Sequence, residues 1–169
     1  ATTRAPREGE ENGVHYHFIS KDAFLNLKKE DAFVENAEFC DNFYGTLKSE
    51  VFPFLEKGVS VILEIEVDGA MQIKKQYPDA ILIMLLPPSF KVQEERLRGR
   101  GTETEEKILA RLARTREEVT HVGDYDYVVY NHDGRAEDAA DDIRAIVRAE
   151  RCALRRHADA ALRYFAEEV

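Results

Sequence analysis

Arg4 and Arg7, separated by Ala5-Pro6, are a poor core element and a good anion clamp. Proline fixes the backbone between them and biases Ala5 towards an extended conformation. Guanidinium forks in such a frame can meet phosphate oxygens bidentately. A solvated basic turn is the plainer reading of the same pair. Tyr16 and Tyr44 add two phenol donors, and Glu35 with Thr46 adds a carboxylate and a hydroxyl. Tyrosines also serve as amphipathic packing, and Glu35 read alone is an exposed strand residue.

A second cluster runs Arg96-Leu97-Arg98-Gly99-Arg100-Gly101-Thr102-Glu103-Thr104. Gly99 and Gly101 bracket Arg100 and let the backbone bend there. Thr102 has capping-box spacing to Glu105, or Thr104 caps with acids in the first turn, so a helix starts here. Ile108, Leu109 and Leu112 form its expected apolar stripe, flanked by Arg111. A segment carrying Arg96, Arg100 and Arg111 suits a lid that closes over a polyphosphate. It equally suits a solvated charged helix.

These residues need elements to hold them. Ser20 before Lys21-Asp22 and Phe24, Leu25 and Leu27 predicts a capped helix of about ten residues. Val34 to Phe39 and Asn42 to Leu47 read as two strands around Cys40-Asp41. Ser49 to Lys57 reads as a helix stopped at Gly58, with Pro53 an awkward interior residue. Val59 to Val67 and Ala80 to Leu86 are near-continuous aliphatic runs, as in parallel strands buried on both faces. Gly69 to Tyr77 is the crossover helix between them, stopped by Pro78. Tyr127 to Tyr130 is a third strand, ended by Asn131, and Arg135 to Val169 is a long helical segment with a break near Cys152. The alternation predicts a three-layer α/β fold with right-handed crossovers. Ligands bind beyond the carboxyl ends of such strands, where Glu66, Asp68 and Asn131 stand. An asparagine after a strand also suits a helix N-cap.

The totals narrow the field. The chain has 169 residues, 44% hydrophobic and 34% charged, enough for one domain with a real core. Its net charge of −9 argues against bulk electrostatic binding to nucleic acid or an anionic membrane. Two distant cysteines, Cys40 and Cys152, suit a reducing cytoplasm and no disulfide framework. No apolar run approaches membrane-spanning length, and no signal peptide is visible.

Taken together, Thr2-Thr3-Arg4-x-Pro6-Arg7, Tyr16-His17-Phe18, Phe33-Val34-Glu35, Tyr44-Gly45-Thr46, Arg98-Gly99-Arg100-Gly101-Thr102 and Val129-Tyr130-Asn131 resemble guanylate kinase, in that family's order and spacing, from Thr2 to about Glu150. The resemblance implies a P-loop NTPase-like parallel sheet with helices on both faces. It implies a single domain over 1–169, with a nucleotide-monophosphate lobe at about 20–48 and a lid at about 96–118. The implied reaction is ATP-dependent phosphoryl transfer to GMP or dGMP, in purine nucleotide metabolism. Arg4, Arg7, Tyr16 and Tyr44 match the residues that hold the GMP phosphate, and Glu35 and Thr46 match those that read guanine. Glu66 and Asp68 depart from the commoner aspartate and glutamine; Glu66 keeps an acid near the base or the metal with one methylene more. Arg96, Arg100 and Arg111 match the lid arginines that meet the donor phosphates and the transferring group, and Asn131 matches the position beside the donor adenine. ATP is the implied donor and Mg²⁺ the implied cofactor, with no metal ligand assigned to the chain and neither nucleic acid nor membrane as partner.

No glycine begins a Gly-x-x-x-x-Gly-Lys-[Ser/Thr] in this chain. The resemblance places that phosphate-cradling loop, and a first strand, upstream of Ala1, so an N-terminal truncation is the expectation and activity presupposes the loop. A non-catalytic guanylate-kinase-like module that binds phosphopeptide or GMP is the alternative. A different nucleoside monophosphate kinase is weaker, because Glu35 with Thr46 favours guanine.

Overall fold

The computed structural model describes residues 1–39, 41–99 and 104–166. Expectations placed on Cys40, Arg100, Gly101 and Thr102 lie outside the described residues. The chain forms two compact units, Ala1–Ala80 and Ile81–Val169, taken here in turn.

The first unit is built on a hairpin. α1 (Lys21–Lys29) starts where expected: Ser20 Oγ accepts the Ala23 N–H at 3.2 Å, with Asp22 in the first turn and Lys28 and Lys29 in the last. Its Phe24 is fully buried and stacks on Phe33 and Phe43 at centroid distances of 4.5 and 5.4 Å. Those rings belong to β1 (Phe33–Phe39) and β2 (Asn42–Leu47), an antiparallel pair. Glu35 faces Thr46 and Ala37 faces Tyr44, so these four share one face of the hairpin. Gly45 lies on the opposite face, where a Cβ would come within 2.7 Å of the Phe33 ring, so only glycine lets that ring seat.

α2 (Lys48–Leu55) follows directly and ends before Gly58, at φ 73°. Pro53 sits past its first turn, so the Ser49 carbonyl receives no N–H from that position. α3 (Val67–Gln76) begins two residues earlier than expected, with Glu66 as N-cap and Tyr77 as C-cap. Val34, Val51 and Ile73 join these elements in one buried cluster.

The run at 59–67 corrects one expectation. Val61, Leu63 and Ile65 pack on that cluster while Ile62 is 79% exposed. This is the alternation of a strand with one covered face, and the segment joins no ladder among the described residues. Composition alone suggested two covered faces; burial depends on neighbours that composition does not name.

In the second unit, β3 (Ile83–Leu86) and β4 (Tyr127–Tyr130) pair in parallel, Ile83 with Tyr127 through Leu86 with Tyr130. Met84 and Val129 are buried. α4 (Phe90–Gly99) and α5 (Glu105–Val119) pack through Leu97, Ile108 and Leu112, with Phe90 beside them. Leu109, expected on this stripe, is 54% exposed instead. One residue beyond Ile108 turns off the line from Ile108 to Leu112, which are four apart and share a face. Thr104 is the N-cap of α5 but makes no side-chain cap bond. α6 (Ala136–Arg151) ends at Cys152, as the sequence suggests, and a turn at Leu154–Arg156 and α7 (Ala160–Phe165) follow. The buried Glu150 accepts the Tyr127 hydroxyl at 2.6 Å and pairs with Arg155, joining α6 to β4. The fold class is α/β, as the alternation predicts. Among the described residues, no helix is long and apolar enough to cross a membrane.

Candidate functional site

The first unit gathers the expected anion clamp at one end of the hairpin. Thr2 is fully buried and bridges both Phe18 and Tyr44. Its hydroxyl donates to the Phe43 carbonyl at 2.9 Å and accepts the Arg4 N–H at 3.2 Å. Thr3 exchanges two bonds with Phe43, 3.0 Å from its backbone N–H and 2.9 Å to its hydroxyl. Arg4 is thus rooted on β2 beside Tyr44. Its guanidinium carbon lies 5.5 Å from the Tyr16 ring centroid and 5.6 Å from that of Phe18, within cation–π range. Tyr16 and Tyr44 meet edge to face at 6.4 Å. The structure therefore brings Arg4, Tyr16 and Tyr44 together. Arg7 is exposed nearby, its backbone N–H donating to Glu10 Oε2 at 2.6 Å.

Glu10 is a site residue that the sequence reading missed. It takes Arg4 bidentately, at 2.9 Å from Nη1 and 2.8 Å from Nη2. The Arg4 fork and the Arg7 N–H hold its carboxyl down to about 2. Gly9, at φ 82°, makes the turn that returns the acid to Arg4. The signal was there, in an acid placed just past a glycine turn after two arginines.

At the other end of the same face stands Glu35, only 4% exposed. The reading of Glu35 as an exposed strand residue does not hold. The Thr46 hydroxyl donates to its Oε1 at 2.6 Å. Burial pushes the Glu35 carboxyl above the ordinary carboxylate range, and the Thr46 bond opposes that shift. The first turn of α3 closes over it: a Cβ on Gly69 would stand 2.5 Å from Glu35 Oε2, so the missing side chain makes room for the carboxyl. Glu66 is half-buried at the N-cap of α3 and makes no cap bond; Asp68 is exposed in the first turn, where helix polarity favours an acid. Gln72, on the same helix, bonds both backbone groups of Asn36, accepting its N–H at 3.2 Å and donating to its carbonyl at 2.8 Å. No motif marked it; only the fold brings position 72 to position 36.

The second unit joins two of the expected donor-side residues. Arg96 on α4 donates through Nη2 to the Asn131 carbonyl at 2.8 Å and through Nε and Nη2 to Asp133 at 2.9 and 2.6 Å. Asn131 continues the parallel ladder past β4, its N–H donating to the Leu86 carbonyl at 2.8 Å. It does not cap α6, whose N-cap is Arg135. Arg111 is half-buried on α5. Arg98 links the helices, to Glu94 at 2.9 Å and to Glu105 through two bonds. Arg100 lies outside the described residues.

With this geometry in place, comparison with known proteins is direct. The family model for guanylate kinase matches residues 1–150. A guanylate kinase of Caldanaerobacter subterraneus is 43% identical over 169 residues, all of this chain and 81% of that protein. A guanylate kinase of Neisseria meningitidis is 48% identical over 156 residues, 92% of this chain and 74% of that one. The crystal structure of guanylate kinase from Anaplasma phagocytophilum superposes with a TM-score of 0.73 at 36% identity, covering 88% of this chain and 72% of that one. The chain belongs to the guanylate kinase family.

Proposed function

We propose that the protein transfers the γ-phosphoryl group of ATP to GMP or dGMP, giving ADP and GDP or dGDP. The observation that carries this reading is the shared hairpin face, with a buried carboxylate–hydroxyl pair at one end and an arginine–tyrosine cluster at the other. Glu35 would accept the two neighbouring N–H groups on guanine's Watson–Crick edge, a pair that adenine lacks. Thr46 would lie by the guanine carbonyl, and Glu66 by the base. Arg4, Arg7, Tyr16 and Tyr44 would hold the GMP phosphate. With Glu10 on Nη1 and Nη2, the Nε–Nη2 edge of Arg4 is its second bidentate face and would be the one to meet a phosphate.

The GMP phosphate oxygen attacks in line, so no side-chain nucleophile is called for and the residues act by position and charge. Arg96 and Asn131 would meet the donor, and Arg111 the transferring group; Arg100 joins them on the resemblance alone. Mg²⁺ would be carried on the nucleotide phosphates and water, where it would offset charge on the transferring group. In this reading residues 1–169 form one kinase domain, with the monophosphate lobe at about 20–48 and the lid at about 96–118. A cytoplasmic place in purine nucleotide metabolism follows from the substrates proposed. The non-catalytic alternative is not favoured, since a phosphopeptide binder has no use for a buried base-reading carboxylate.

The test is turnover by the full-length protein with ATP and, in turn, GMP, dGMP, IMP, AMP and CMP, followed by ADP release. GMP should exceed AMP by about 100-fold or more in kcat/KM, because unpaired polar groups reject the wrong base. Comparable turnover of AMP, or none with any monophosphate, would overturn the assignment.

A further inference from the structure

We infer that Gln72 is a positioning residue for guanine selection, acting through the backbone of β1 on Glu35. The inference rests on the base-reading role proposed for Glu35. β1 uses one edge to pair with β2, and its other edge has no strand beside it among the described residues. An open edge is free to twist and shift. The side-chain amide of Gln72 fills that place at a single point, accepting the Asn36 N–H at 3.2 Å and donating to the Asn36 carbonyl at 2.8 Å. This is the two-way exchange that a neighbouring strand would make, and a carboxamide supplies both halves from one planar group.

The point it secures is the peptide that follows Glu35. The same helix, α3, presses Gly69 against the Glu35 carboxyl one turn earlier. Thr46 grips Oε1 from β2. Glu35 is therefore held three ways: by a hydroxyl at its oxygen, by a helix turn against its carboxyl, and by Gln72 through the next residue's backbone. The first two restrain the side chain, and the third restrains the strand that carries it. A β1 edge loosened at Asn36 would let the carboxylate drift from the line of two parallel acceptor bonds.

The experiment compares GMP with IMP, which keeps the ring N–H and the carbonyl but lacks the exocyclic amino group. Steady-state kinetics are measured on the full-length protein for the wild type, Gln72→Met, Gln72→Glu and Glu35→Gln. Gln72→Met keeps length and bulk while removing both bonds. It should lower kcat/KM for GMP about tenfold and for IMP about threefold or less, through KM, with kcat nearly unchanged. Gln72→Glu retains an acceptor for the Asn36 N–H and should fall between Gln72→Met and the wild type. Equal losses for both nucleotides would assign Gln72 a merely structural role and overturn the inference, as would no loss. If Gln72→Met proves too unstable to assay, Gln72→Glu alone decides, on the same ratio. Glu35→Gln separates the two failures. Should it leave the GMP-to-IMP ratio intact, the base-reading assignment itself fails; should it collapse the ratio while both Gln72 variants preserve it, only the Gln72 inference fails.

Discussion

Glu35 in the first unit and the arginines of α4 in the second are held in opposite ways. In the first, Glu35 is withdrawn from water, bonded by Thr46 and covered by a helix turn. In the second, Arg96 meets Asp133 and Arg98 meets Glu94 and Glu105 on exposed ground. A buried polar pair with a fixed partner discriminates, because any ligand that fails to match leaves a group unsatisfied. Exposed ion pairs are weak and exchangeable, which suits residues that must trade an acid for a passing phosphate. Within the first unit the Arg4–Glu10 pair lies between the two cases: its side chains are 15% and 17% exposed, less open than Arg96–Asp133 and less covered than Glu35. In the proposed reading, selectivity rests with Glu35 and charge handling with the arginines.

The sharpest break would come from Glu35→Gln, which keeps size but replaces an acceptor with a donor. GMP binding should weaken by about 1–3 kcal/mol in titration calorimetry. Unchanged affinity would remove the buried carboxylate from base recognition. Next in size is Gly69→Ala, whose Cβ must displace the carboxyl it faces. KM for GMP should rise about tenfold with little change in KM for ATP; a parallel rise in both would point to general damage.

Acid pH probes the same contrast without a mutation. The Glu35 carboxyl titrates above the ordinary range, whereas Glu10 is held to about 2. As pH falls, Glu35 should protonate first and KM for GMP should climb several-fold while the Arg4–Glu10 pair stays intact. The sign for stability is opposite. A carboxyl with a raised native value binds more protons folded than unfolded, so its stabilising share is complete below the unfolded value and is lost as pH rises through the folded one. Glu35→Gln should therefore gain on the nucleotide-free wild type in melting temperature as pH rises above about 4; a constant difference would show that burial does not shift the group.

Asp133→Asn should move KM for ATP by less than about threefold, because an exposed pair gives up little. A larger change would make Asp133 part of the donor site. Smallest is a pair of helix starts, one in each unit. Ser20→Ala should cost about 1 kcal/mol in chemical denaturation, since its cap bond is made. Thr104→Ala should cost at most about half that, since its side chain makes no cap bond.

Where the sequence could be read, the reason was local. Ser20 announced a helix by its own hydroxyl, and the runs Val34 to Phe39 and Asn42 to Leu47 announced two strands about a turn. Asn131 was placed at a strand end by the residues before it. The failures share a different cause. Val59 to Val67 looked covered on both faces because every other property fitted, yet Ile62 faces outward. Leu109 was assigned by adjacency, while the packing followed the four-residue step from Ile108 to Leu112. Glu10 and Gln72 were missed as site residues because their partners are set by a turn and by a helix–strand contact. Arg4 and Glu35 stood out in the sequence; Glu10 and Gln72, which bond Arg4 and the strand that carries Glu35, did not.

Gly45 stands between Tyr44 and Thr46, and its bare α-carbon is what the Phe33 ring rests on. A methyl group there would lift the ring from below and tilt the peptide planes on either side, carrying a phenol and a hydroxyl away from their stations. Greasy interior and working surface are thus a single residue apart along this strand, back to back. Neither can drift on its own, and in the proposed reading a change made for packing would be felt first as a loss of grip on the nucleotide.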